Sequence, residues 1–241
     1  MQELSPLDRP QSLTDAVVMY VRDAVIAGRL APGQQLSEAS LAQTLGTSRG
    51  TVREAMRVLA NLGLVSRAAH RGPVVTMITE ARARETYTMR DLLESYAARL
   101  AAQEGRIGPQ GLATLEERLR ALAEASGVGD VRAMMEADIR FHESLSALSG
   151  HELLLEHLAV IHTHARRMLI FSDLYGRDYG PDFNAVVVRH ARLLEIVRAG
   201  NPDEIARAVS DHITEGGHKR VAWIAAQSVP PVPSDALGSR R

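Results

Sequence analysis

The chain has no cysteine among its 241 residues. Disulfide staples and thiolate metal sites are therefore excluded, and His, Asp and Glu are left as the strong ligand types. It also lacks any apolar run near the roughly 20 residues of a membrane span. Its opening, MQELSPLDRPQSL, has neither the basic region nor the apolar core of a signal peptide. The expectation is a cytoplasmic protein with no membrane partner. Strong net charge is missing too, at -1 overall, but this balance hides an asymmetry. Residues 1–79 carry eight Arg against six acids, whereas residues 80–241 carry twenty Lys and Arg against twenty-three. Taken by itself, that surplus points only weakly to nucleic acid. What the chain does have is 45% hydrophobic residues, ample for a packed core.

Few segments read as strands, and Gly and Pro punctuate a series of helical patterns, so the class is mainly α. A first helix is expected over 12–27, a second from Ser37 to Gly46, and a third from Ser48 to Leu62, burying Val52, Ala55, Met56 and Leu59. Two short strands, Leu64 to Arg67 and Val74 to Met77, flank a polar loop. Six amphipathic helices follow, at about 79–104, 110–126, 130–148, 151–174, 182–199 and 202–226, with short connections suited to an antiparallel bundle. The expected domains are 1–78, 79–226 and a disordered Pro- and Ser-rich tail, 227–241.

Helix, turn, helix and small hairpin are the order of a winged helix-turn-helix. On its third helix Arg49, Arg53 and Arg57 recur every four residues opposite the apolar stripe, with Ser48 and Thr51 at the helix start. Such a face can meet phosphates and guanine edges, where Arg makes bidentate contacts. The plainer alternative is a solvated face paired with Glu54 and its neighbours.

The stretch DIRFHESL sets Asp138 and His142 four apart inside an apolar helical stripe with Met134, Met135, Phe141 and Leu145. A buried carboxylate needs a cation, a hydrogen-bonded histidine or a metal. His190 and His212 each point inward from a further helix. One carboxylate and three imidazoles from three helices form a donor set that zinc, nickel, cobalt, iron or manganese accepts. His162 also sits inward, as a rival ligand or a cavity-lining group. His157, His164 and His218 fall on more polar faces, and His151 suits a helix cap. Two plainer accounts stand beside a metal: core histidines with ordinary hydrogen bonds, and an Asp/His pair that satisfies itself.

The pattern Leu41-Ala42, Leu45-Gly46, Ser48-Arg49, Val52-Arg53-Glu54-Ala55-Met56, Gly63-Leu64-Val65 and Arg71-Gly72 resembles the DNA-binding domain of the GntR family of bacterial transcription regulators. Residues 80–225 resemble the ligand-binding domain of its FadR-type branch, the FCD domain, through RDLLESYAARLAA, ADIRFHESL, RHARLLEIVRAGNPDEIARAV and DHI. Six helices match the shorter, vanillate-regulator-like group. The resemblance implies that Ser48, Arg49, Thr51 and Arg53 contact double-stranded operator DNA, with His70 and Gly72 in the wing. It further implies that Asp138, His142, His190 and His212 bind a divalent ion, zinc or nickel first, with manganese, iron or cobalt as alternatives. Ala39 departs from relatives that carry Arg there, so base preference can differ.

A small carboxylic acid is the expected effector, with Arg90 as a partner for a second anionic group, or else simply paired with Glu94. Arg166 is a weaker candidate of the same kind. The expected function is a homodimeric regulator, a repressor, controlled by that acid. The alternatives are a regulator whose metal is purely structural and a helical metalloenzyme, the latter disfavoured because no inward general base stands beside the four ligands.

Overall fold

A computed structural model describes residues 12–68, 72–175 and 182–226. The expected tail, 227–241, lies outside the described residues. They form two compact units, one ending at Met77 and the other running from Ile78.

In the first unit, α1 (Leu13–Ile26), α2 (Glu38–Thr44) and α3 (Arg49–Asn61) precede β1 (Val65–Ala68) and β2 (Gly72–Val75). Ser12 caps α1 in a reciprocal box: its hydroxyl accepts from the Asp15 amide at 3.1 Å, and the Asp15 carboxylate accepts from the Ser12 amide. Ser37 and Ser48 cap α2 and α3 by accepting from the Ser40 and Thr51 amides, satisfying groups that no earlier turn reaches. Val17, Val21 and Val25 of α1 pack with Val52, Ala55, Met56 and Leu59 of α3. Gly46, at φ 61, makes the turn between α2 and α3.

The strands sit closer to the intervening loop than the sequence suggests. Val65 pairs with Val75 and Ala68 with Gly72, antiparallel, because Gly72 at φ 73 lets the chain re-enter the ladder at once. Leu64 is fully buried and serves the core instead. Gln35 adds an antiparallel bridge to Val74, so the segment before α2 joins the small sheet.

The second unit contains α4 (Glu80–Gln103), α5 (Pro109–Gly127), α6 (Val131–Ala147), α7 (Glu152–Tyr175), α8 (Phe183–Ala199) and α9 (Pro202–Ala226). The expected six-helix bundle is present, with helix ends within a residue or so of their expected positions. Phe141, Leu145, Leu115, Leu193, Val197 and Ile213 meet at its centre. On α4 the buried stripe is made of Ala83, Thr86, Tyr87, Arg90, Glu94, Ala97, Ala98 and Ala101. Small side chains there let α9 approach closely.

The closest approach is at Gly217 of α9, where an added Cβ would come within 2.8 Å of the Tyr87 ring, while at the adjacent Gly216 it would meet nothing within 4 Å. Gly217→Ala is therefore expected to destabilise by about 1–3 kcal/mol through overpacking. Gly216→Ala is expected to be neutral or to stabilise by up to about 1 kcal/mol through helix propensity. Urea unfolding of the two variants checks the opposite signs.

Candidate metal centre and nucleic-acid interface

Three helices of the bundle contribute to the centre, each according to its own periodicity. Asp138 and His142 lie one turn apart on α6, His190 comes from α8 and His212 from α9. One donor atom from each lies within 4.8 Å of the others. The imidazole centroids are 5.4 Å apart for His142 and His190, 5.1 Å for His142 and His212, and 4.4 Å for His190 and His212. His190 is held edge-on to Phe141 at 5.0 Å.

The tautomers follow from the outer contacts. His190 Nδ1 donates to the Val186 carbonyl at 2.9 Å, which leaves Nε2 as a lone-pair donor, buried and without an aligned hydrogen-bond partner. That nitrogen stands 3.2 Å from Asp138 Oδ1. Two acceptors so close repel unless a cation lies between them. Neighbouring donors on one ion with bonds of about 2.1 Å stand about 3 Å apart, so the residues fit a metal. Burial works against the Asp138 carboxylate, yet nearby positive charge, that of Arg90 included, holds it well below the usual carboxylate range. Burial pushes His142 down, only partly offset by Glu94, and burial with the neighbouring His190 and His142 pushes His212 down well below its ordinary value. Neutral His142 and His212 beside an ionised Asp138 are protonation states that suit ligation.

The four donors border a cavity of about 460 Å³. Arg90, Arg189, Lys219 and Arg220 give it a cationic side, and Met134, Met135, Leu169 and Val186 an apolar one. Arg90 is buried, its Nε donates to Glu94 Oε1 at 2.7 Å, and its Nη2 has no hydrogen-bond partner. It is therefore paired with Glu94, as the plainer expectation had it, and also lines the cavity.

In the first unit, Ser48 and Thr51 share a 2.9 Å hydroxyl contact at the start of α3. Arg49, Arg53 and Arg57 are exposed. Arg53 pairs with Glu38 of α2 at 3.2 Å and Arg57 with Glu54 at 2.8 Å, so two of the three arginines have a carboxylate neighbour on the surface. Such exposed pairs are weak and exchange readily for phosphate. Gly72 opens β2, whereas His70 lies outside the described residues.

Residues 13–75 match the model of the bacterial regulatory proteins of the gntR family, and residues 85–215 that of the FCD domain. The chain belongs to the GntR family and carries an FCD domain. Such proteins are transcriptional regulators rather than enzymes, which removes the metalloenzyme alternative. This GntR regulator is 29% identical over 203 residues to the probable D-xylose utilization operon transcriptional repressor of Paenarthrobacter nicotinovorans, covering 82% of this chain and 85% of that one. It is 32% identical over 184 residues to the Nta operon transcriptional regulator of Aminobacter aminovorans, covering 76% and 82%. A GntR regulator from Rhodococcus sp. RHA1 superposes with a TM-score of 0.71 at 26% identity, over 87% of this chain and 97% of that one.

Two expected effector contacts fall elsewhere in this GntR regulator. Arg166 does not line the cavity; its guanidinium is taken up by Glu136 and Glu143 in hydrogen bonds of 2.8–3.2 Å. His162 is buried but stands behind the donors, its Nε2 2.9 Å from Glu94 Oε1. Glu94 itself was not anticipated as a site residue, although its place four after Arg90 on a stripe of alanines marks it as inward-facing. Among the polar-face histidines, His164 is also misjudged: it is buried against α4, because a polar helix face can still be covered by a neighbouring helix. His151 caps α7 as expected, its Nδ1 accepting from the Leu154 amide.

Burial, then the charges of Arg167 and Arg82, push His164 down to about 4. Its folded value lies below the unfolded one of about 6.5, so the unfolded chain binds the extra proton between these values, and stability falls as pH drops from about 6.5 to 4. After discounting for partial solvent access, about 1–3 kcal/mol is expected to depend on this group. Urea unfolding of His164→Gln across that window is expected to show a correspondingly flatter pH dependence.

Proposed function

We propose that this GntR regulator is a homodimeric repressor that loses operator affinity when a small carboxylic acid binds at a divalent metal held by Asp138, His142, His190 and His212. The observation that carries this reading is the lone pair of His190 Nε2 facing the Asp138 carboxylate at 3.2 Å beside a cavity that also receives the buried Arg90. With nitrogen and oxygen donors only, zinc or nickel suits the centre first, then manganese, iron or cobalt. Such an ion supplies a Lewis-acidic cation with positions open to a carboxylate. Arg90 Nη2 is the partner for a second anionic group, and the methionine side accepts an apolar body.

Operator contact is assigned to Ser48, Arg49, Thr51, Arg53 and Arg57 on α3, with His70 and Gly72 in the wing. Tyr87 and Arg90 lie in the N-terminal half of α4, the helix that follows the hairpin in the chain, so an acid that favours one arrangement of α4 biases the DNA-binding unit. Met89, Leu92 and Tyr96 recur at spacings of three and four on α4 and are exposed, a face suited to a second copy.

Metal analysis followed by a thermal-shift screen of small mono- and dicarboxylic acids tests the proposal. An acid at a hundred times its Kd is expected to raise Tm by about 5 °C or more, and chelation to abolish that shift. Equal shifts with and without chelator would leave the metal purely structural. Arg49→Ala with Arg53→Ala is expected to weaken operator binding and flatten its salt dependence by about two ions. Leu92→Glu with Tyr96→Glu is expected to turn a dimer into a monomer by light scattering.

A further inference from the structure

The carboxylate of Glu94 is 2% exposed, and three groups from three helices converge on it. Oε1 accepts from Arg90 Nε at 2.7 Å and lies 2.9 Å from His162 Nε2. Oε2 lies 2.8 Å from His142 Nδ1, a close ion-pair contact whose angle falls short of an aligned hydrogen bond. Two of these partners face the proposed function directly: Arg90 lines the cavity and His142 is one of the four donors.

We propose that Glu94 is the positioning residue of the centre, fixing the tautomer in which His142 carries its proton on Nδ1 and turns the lone pair of Nε2 toward His190 and His212, while it holds Arg90 at the cavity. This inference rests on the metal reading above. An anionic oxygen beside Nδ1 can only accept, so the ring must donate there. The single remaining lone pair then lies on the nitrogen away from Glu94. His190 reaches the same state by another route, donating Nδ1–H to the Val186 carbonyl. Two of the three imidazoles are thus set by different outer partners, and a ligating histidine needs such a partner for its lone pair to be aimed.

Glu94→Gln separates this role from mere packing. The amide oxygen must stay toward Arg90 Nε, which can only donate. The NH2 group then faces His142 Nδ1, which becomes the acceptor, and the ring proton moves to Nε2. The shape is conserved while one donor is lost.

Two measurements on the full chain test this, both using zinc alone as the probe. In the metal-free wild type, 15N imidazole resonances, assigned by comparison with His142→Ala, are expected to give His142 as the Nδ1–H tautomer; in Glu94→Gln they are expected to give Nε2–H. Competition with a chromophoric chelator is expected to give 10–100-fold weaker zinc binding for Glu94→Gln, with an unchanged far-UV spectrum. A wild-type His142 in the Nε2–H form overturns the proposal, and this readout stands even where the variant does not fold. Zinc affinity of a folded Glu94→Gln within twofold of wild type overturns it as well. A wild type that binds no zinc overturns the metal reading and this inference together, whereas the other outcomes overturn the positioning role alone.

Discussion

A helical bundle can keep a carboxylate at its centre only if enough donors reach it to replace water, and Glu94 meets that condition from three sides. Removing one partner from such a buried cluster costs far more than an exposed pair contributes, about 3–5 kcal/mol against less than about 1. The consequence is geometric. Arg90 is held along α4 against Glu94, His162 is drawn in from α7, and His142 is held in place on α6. The surface ion pairs, such as Arg84 with Glu80 or Lys219 with Glu215, impose no comparable constraint because water can replace either partner.

From this constraint the polarity of the interior follows. Arg90, Tyr87, Lys219 and Arg220 belong to α4 and α9, which pack along each other through small side chains, while Met134, Met135, Leu169 and Val186 belong to α6, α7 and α8. Arg189 of α8 adds to the cationic side, so α8 supplies both characters, and a ligand spanning the cavity would feel the spacing between them. In the DNA-binding unit the same chemistry is used at low cost: Arg53 and Arg57 rest on Glu38 and Glu54 at the surface, where the pairs are cheap to break when phosphate arrives.

Periodicity made most of the architecture legible. The helix starts were readable because Ser12, Ser37, Ser48 and Asp130 are cap residues ahead of apolar patterns, and the stops because glycine follows. The hairpin was placed a residue or two from its true register, since alternation alone cannot say where a glycine re-enters the ladder. At the site, Asp138, His142, His190 and His212 were legible as polar residues on apolar stripes. Arg166 and His162 met the same criterion, yet the structure sets them on other partners.

What the sequence by itself determined is which residues face inward, because the helical repeat of 3.6 fixes the side of the helix on which each one lies. It also determined the family, through the helix-turn-helix pattern and the histidine spacings. Only the tertiary structure decided which inward groups meet. Asp138 is set against His190, 52 positions away, and His142 against Glu94, 48 away, rather than against each other. The physical reason is that helix packing, with its own crossing angles and side-chain sizes, chooses contacts between helices, and no local repeat encodes the distance from one helix to the next.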